Sequence, residues 1–169
     1  QDGDRQILGV AEGAKEDQAS WLAFLRHLIK RGLKPPRLVV SDKCLGPVES
    51  IDSCFPKSKW QRCVVHFYRN VFSVVPKGRV REVAAMLKAI HAQEDRKAAT
   101  EKIQAVITKL EAMKLKNAAK MLREGAQETL SYYDFPSQHW RSIKTNNPLE
   151  RLMREIRRRT RVVGNFPDG

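Results

Sequence analysis

From Arg79 to Tyr133 apolar residues recur at three- and four-residue steps, with one glycine and no proline to interrupt them. That periodicity predicts helix throughout. Three amphipathic segments stand out, Val80–Ile90, Ala98–Met113 and Leu115–Leu130, and Phe135-Pro136 closes the run. Any fold for this chain must accommodate an all-helical block in its middle.

The flanks read differently. Asp2-Gly3 is a hairpin-turn signal, and Arg5–Ala11 reads as a strand. No strand precedes that turn, so the sequence is expected to open in the middle of a fold. Lys15–Arg31 carries Trp21, Leu22, Leu25, Leu28 and Ile29 at helical spacing and stops at Gly32. Arg37–Ser41 is a short apolar strand, Leu45–Phe55 a helix, Trp60–His66 a third strand and Phe67–Val75 a helix. Strand, helix and strand at these lengths suggest a parallel crossover unit. Asn147-Pro148 opens a last helix running to about Arg159. The expected organisation is an α/β part over 1–76, a helical insertion over 77–135, and a final helix over 136–169 that returns to the α/β part.

The 169 residues carry 32 basic and 19 acidic side chains, a net charge of +13. Residues 1–53 are neutral overall and 89–136 nearly so; the excess lies in 54–88 and 137–169, where acids are scarce. Two zones of one sign suit contact with phosphates, and a nucleic acid is the first partner to expect. No apolar run approaches the roughly 18 residues of a membrane span, and the first ten residues lack the basic start and apolar core of a secretory signal. Three cysteines at irregular spacing form no disulfide framework, which fits a reducing compartment. Gly9, Gly13 and Gly46 make no phosphate-cradling loop, and no spacing suits Ser/His/Asp hydrolysis.

Asp42 ends an apolar strand, at the sheet edge where α/β proteins gather ligands. It reads equally as an oxygen ligand for a hard cation and as a helix N-cap. Glu150 falls in the first turn of the last helix, with Asn147 as N-cap and Pro148 the first helical residue; that is also the capping-box position. Leu149, Leu152, Met153 and Ile156 form the apolar stripe of this helix. Glu150, Arg154, Arg157 and Arg161 share a neighbouring face. A carboxylate leading a row of arginines suits phosphodiester chemistry, the acid holding a metal and the guanidiniums the phosphates. A solvated face with a Glu150–Arg154 pair is the plain alternative. Cys63-x-x-His66 has zinc-ligand spacing, but Cys44 and Cys54 supply no second pair, so a hydrogen-bonding His66 beside a packed Cys63 thiol is the better reading. His27 and His91 read as surface or boundary residues. Trp140 reads equally as a base-stacking and as a core residue.

Val40-Ser-Asp42, Lys59-Trp-Gln-Arg-Cys-Val-Val-His-Phe67, Tyr133-Asp-Phe-Pro136, His139-Trp-Arg141, Thr145-Asn-Asn-Pro-Leu-Glu-Arg151 and Arg154-Glu-Ile-Arg-Arg-Arg-Thr-Arg-Val-Val-Gly164 resemble, in that order and over nearly the whole chain, Mutator-type bacterial insertion-sequence transposases. The resemblance implies a ribonuclease-H-like α/β fold with a helical insertion before the last catalytic helix. It implies two Asp and one Glu holding two divalent metals, normally Mg²⁺, for in-line attack on DNA phosphates. Asp42 matches the second carboxylate and Glu150 the third; Cys63 and His66 match the C-x-x-H element between them. Arg62, Arg69, Arg151, Arg154, Arg157, Arg158 and Arg161 are the expected contacts to double-stranded DNA. A homo-oligomer in the full-length protein and a bacterial cytoplasmic, nucleoid-associated location are implied too.

Three departures stand out. The family's first Asp precedes the opening hairpin, and neither Asp2 nor Asp4 stands there, so this stretch is expected to be a core fragment, inactive alone. Lys43-Cys44 replaces a small or polar pair after the second Asp, and the Lys43 charge is expected to weaken metal binding. An upstream DNA-binding domain is also missing from the match. The competing expectation is a non-catalytic basic nucleic-acid-binding module.

Overall fold

The computed structural model describes residues 6–11, 17–43 and 45–163. The Asp2-Gly3 turn expectation lies outside them. The chain is α/β but mostly helical. The first helix, α1 (Gln18–Lys30), begins where the Asp17 carboxylate accepts the Ser20 N–H at 2.9 Å, a side-chain cap. It ends at Gly32, whose φ of +97° lets the Leu33 N–H turn back to the Leu28 carbonyl at 3.0 Å. Then come β1 (Leu38–Ser41), α2 (Leu45–Cys54) and β2 (Lys59–Arg62). β1 and β2 pair in parallel, Leu38 opposite Lys59 and Ser41 opposite Arg62, so the crossover unit is β1-α2-β2.

The expected first strand is absent: described residues 6–11 have no regular structure, and Ile7 and Val10 are exposed. Among the described residues no strand pairs with this segment. The third expected strand is shorter than expected. The Cys63 N–H continues the ladder to the Ser41 carbonyl at 2.8 Å, but the next N–H, of Val64, goes to the Lys144 carbonyl at 3.1 Å. That bond turns the chain into α3 (Val64–Ser73), so His66 lies on a helix and not on a strand. Val64 and Val65 favour strands by propensity, and tertiary hydrogen bonding overrides them.

The helical block is α4 (Val80–Ile90), α5 (Arg96–Ala112) and α6 (Lys116–Gly125), followed by short 3₁₀ turns at Gln127–Thr129 and Ser131–Asp134. The long helix expected to Leu130 thus stops at Gly125. One core joins the block to the α/β part. Phe67, Val71 and Val75 of the α3 region pack in the same cluster as Val83, Leu87, Ile103, Leu110 and Leu122. The buried core therefore continues across position 76. Gln61 of β2 is fully buried and staples the two: its amide donates to the Thr129 carbonyl at 2.8 Å and accepts the Tyr132 N–H at 2.9 Å. Burying an amide is tolerable only when it is bonded in this way.

Two helices follow, α7 (Ser137–Ile143) and α8 (Asn147–Val163). Trp140 of α7 packs edge-on against Tyr132 and Tyr133 and donates its indole N–H to the Phe135 carbonyl at 2.7 Å, so it is a packing residue. On α8 the stripe of Leu149, Met153 and Ile156 is 56%, 42% and 42% exposed, so it is not packed away as its pattern led one to expect.

Candidate active site

Three chain turns bring the site together. Asp42 follows β1, His66 lies in the first turn of α3 and Glu150 in the first turn of α8. The start of α8 is fixed by Asn146, whose carbonyl accepts the Glu150 N–H at 3.2 Å. The cap is thus one residue earlier than the Asn147 expected from sequence. Asn146 also accepts from the Cys63 thiol at 2.9 Å, which ties the first turn of α8 to that of α3.

The His66 imidazole stands between the two carboxylates. Its Nδ1 touches Asp42 Oδ1, and its Nε2 lies 2.5 Å from Glu150 Oε1. Asp42 Oδ1, His66 Nδ1 and Glu150 Oε1 are all buried, yet none has an aligned hydrogen-bond partner. The other Glu150 oxygen faces Arg69 at 3.4 Å. Glu150 turns to these partners and not to Arg154.

The donor type suits a divalent cation: two hard, buried carboxylate oxygens without an aligned hydrogen bond are what such an ion takes, though the imidazole lies against both. Among the described residues no three His, Cys, Asp or Glu side chains surround a common point that could hold a metal ion. Cys63, fully buried, points its thiol at Asn146 and not at His66, so the C-x-x-H pair does not form a shared ligand set.

Of the expected DNA contacts, Arg69, Arg151, Arg154, Arg157, Arg158 and Arg161 are exposed. Arg62 is corrected. It is 7% exposed, its guanidinium lies 4.8 Å over the Phe67 ring, and it pairs with Glu128 at 3.1 Å. Its place on the last residue of β2, under the helical block, makes it an interior residue. Arg158 is engaged as well, donating to both Glu155 oxygens at 2.7 and 3.1 Å. With Arg159, it holds the Glu155 carboxyl far below the usual range, at about 2.

Sequence reasoning missed two residues near the site. Glu128 takes Lys43 on one oxygen at 2.6 Å and Arg62 on the other. His91, read as a boundary residue, is buried among hydrogen bonds: Nδ1 meets the Tyr68 hydroxyl and Nε2 the Thr129 hydroxyl, each at 2.8 Å. Burial pushes its pKa down to about 4. Neither carries a local motif; only the long-range packing reveals them.

The fold and the site together define an α/β protein with an acidic centre beside a basic helix. Its relatives say which. The model of the Mutator family of transposases matches residues 1–169. Over 167 residues the chain is 41% identical to the transposase for insertion sequence element IS1081 of Mycobacterium tuberculosis, covering 99% of this chain and 40% of that protein. It is 37% identical over 167 residues to the transposase for ISRM5 of Rhizobium meliloti, covering 99% and 42%. It is 34% identical over 168 residues to the transposase for IS256 in transposon Tn4001 of Staphylococcus aureus, covering 99% and 43%. The chain therefore belongs to the Mutator family of transposases, and it spans about two fifths of the length of these curated relatives. Among the described residues no helix is long and apolar enough to cross a membrane.

Proposed function

We propose that the chain is part of the catalytic core of a DNA transposase, with a ribonuclease-H-like α/β scaffold and residues 77–135 as its helical insertion. Cutting and joining of DNA phosphodiesters at insertion-sequence ends is its reaction. The observation that carries this reading is the meeting of Asp42 and Glu150 on one imidazole, with both inner oxygens buried and without an aligned hydrogen bond.

In this reading Asp42 and Glu150 hold divalent cations, normally Mg²⁺. The bound cation supplies Lewis-acid activation of the attacking oxygen and charge neutralisation at phosphorus. His66, set between them, keeps the two carboxylates at a fixed separation. The Cys63–Asn146 bond sets the height of α8 and hence of Glu150. Arg69 and the exposed α8 arginines hold DNA phosphates; as exposed, flexible forks they favour bidentate phosphate contacts. A homo-oligomeric assembly on double-stranded DNA is part of the same proposal.

The second reading, a basic DNA-binding module without chemistry, is favoured by the lack, among the described residues, of three such side chains around a common centre that could hold a metal ion. Titration with Mn²⁺ separates the two. The catalytic reading expects saturable binding that either Asp42→Asn or Glu150→Gln abolishes, with the far-ultraviolet spectrum unchanged, and DNA affinity that rises with Mg²⁺ only when both acids are present. Cation binding and DNA affinity indifferent to both substitutions would leave only the second reading.

A further inference from the structure

Lys43 follows Asp42 directly, and a lysine ammonium beside a cation-holding carboxylate weakens the site by repulsion. In the structure the ammonium is drawn away. Lys43 Nζ lies 2.6 Å from Glu128 Oε1, in the Gln127–Thr129 turn that follows α6. Glu128 is itself anchored. Its second oxygen meets the Arg62 guanidinium at 3.1 Å, and the Arg62 side chain is only 8% exposed. Arg62 reaches this position past Gly125, where a Cβ would collide with its Nη1. The Phe67 ring supports the guanidinium, whose carbon lies 4.8 Å from the ring centroid. Arg62 cannot follow solvent, so Glu128 is held where it intercepts Lys43.

We infer that Glu128 is a positioning residue of the acidic centre: clamped by Arg62, it holds the Lys43 ammonium off Asp42 and so sets the affinity of the Asp42–Glu150 site for a divalent cation. The helical block thereby acts on the centre through one carboxylate. The inference rests on the proposed cation-binding role of Asp42 and Glu150.

The test is Mn²⁺ binding to the full chain, read by the loss of the free-ion electron paramagnetic resonance signal. Glu128→Gln frees Lys43, and affinity is expected to fall about three- to tenfold, the effect of one added positive charge in a partly solvated site. Adding Lys43→Met to that variant is expected to restore wild-type affinity, a rescue that a merely structural role for Glu128 would not give. Lys43→Met alone, an exposed change that leaves the Arg62–Glu128 pair intact, is expected to bind as the wild type does. An unchanged affinity in Glu128→Gln, a loss that Lys43→Met fails to rescue, or a several-fold gain in Lys43→Met alone each overturns the inference. Should Glu128→Gln not fold, Glu128→Asp takes its place: it keeps a carboxylate near Arg62 but shortens the reach to Lys43, and an affinity that does not fall, or a fall that Lys43→Met does not reverse, overturns the inference. Wild-type protein with no saturable Mn²⁺ binding removes the cation site itself, and the inference with it.

Discussion

The Cys63 thiol donates to the side-chain carbonyl of Asn146 at 2.9 Å, and through that bond the first turns of α3 and α8 are held together. With its hydrogen committed and its sulfur fully buried, Cys63 is a packed hydrogen-bond donor and not a metal thiolate. Elemental analysis of the folded protein is expected to find no stoichiometric zinc. Cys63→Ser keeps the donor and is expected to cost less than Cys63→Val, which strands the Asn146 oxygen; an unpaired buried acceptor costs about 1–3 kcal/mol. Urea midpoints of the two variants check the order.

Gly125 is where the helical block makes room for Arg62. An added Cβ would collide with the guanidinium and sit 3.3 Å from the Phe67 ring. Gly125→Ala is therefore expected to destabilise by about 1–3 kcal/mol, the usual range for overpacking, although alanine favours helix in general. In an Arg62→Met background the same change is expected to cost much less, because the atom it strikes is gone. Chemical denaturation of the two singles and the double measures this non-additivity; additive costs would place the strain elsewhere.

Much of this architecture is legible in the sequence because it is local. The Val80–Ile90 helix has the limits its apolar period indicates, and the Leu38–Ser41 strand is the short apolar run that reads as one. The break between α5 and α6 falls at Lys114, between the two segments that the apolar period separates, but its left-handed φ of +60° is not legible, because such a position usually signals itself with glycine. Nor is the end of β2, which depends on the carbonyl of Lys144, distant in sequence. At the site, Asp42 and Glu150 stand out by residue type and place. That His66 lies between them, and that Arg62 is interior, depends on how α3 and the helical block pack, and a basic residue in a basic stretch gives no sign of burial.

His91 makes stability pH-dependent. Its ring is buried between two hydroxyls, with Thr129 against Nε2 and Tyr68 against Nδ1, each at 2.8 Å. Tyr132 stacks nearby and the Lys144 ammonium adds a like charge that opposes protonation. The folded pKa of about 4 lies below the unfolded value of 6.5. Below pH 6.5 the unfolded chain takes up a proton that the folded chain refuses. The stabilisation is therefore complete above pH 6.5 and is lost as pH falls toward 4, by up to about 1.4 kcal/mol per pH unit. Urea midpoints across pH 4–7 are expected to fall in the wild type and to fall much less in His91→Gln. Parallel profiles would refute a buried neutral His91.

The α8 arginines are not equivalent for DNA. Arg154 and Arg157 are exposed and make no ion pair among the described residues, whereas Arg158 and Arg159 both close on Glu155, at 2.7 and 2.9 Å. Each phosphate neutralised releases counterions, so losing one contact lowers the slope of log affinity against log salt by about 0.9. Arg154→Ala and Arg157→Ala are expected to show that loss across unrelated duplexes. Arg62→Met is expected to leave the slope unchanged, because a guanidinium buried under Glu128 and Phe67 reaches no phosphate. Arg158→Ala is expected to lose less than Arg154→Ala, since a phosphate must first displace Glu155. Glu155→Gln removes that competitor and is expected to tighten binding and steepen the slope. Fluorescence anisotropy over a salt series measures all five proteins against the wild type. An Arg62→Met slope reduced like that of Arg154→Ala would mean that the block opens to expose β2 when DNA binds, and the interior assignment of Arg62 would hold only for the free protein.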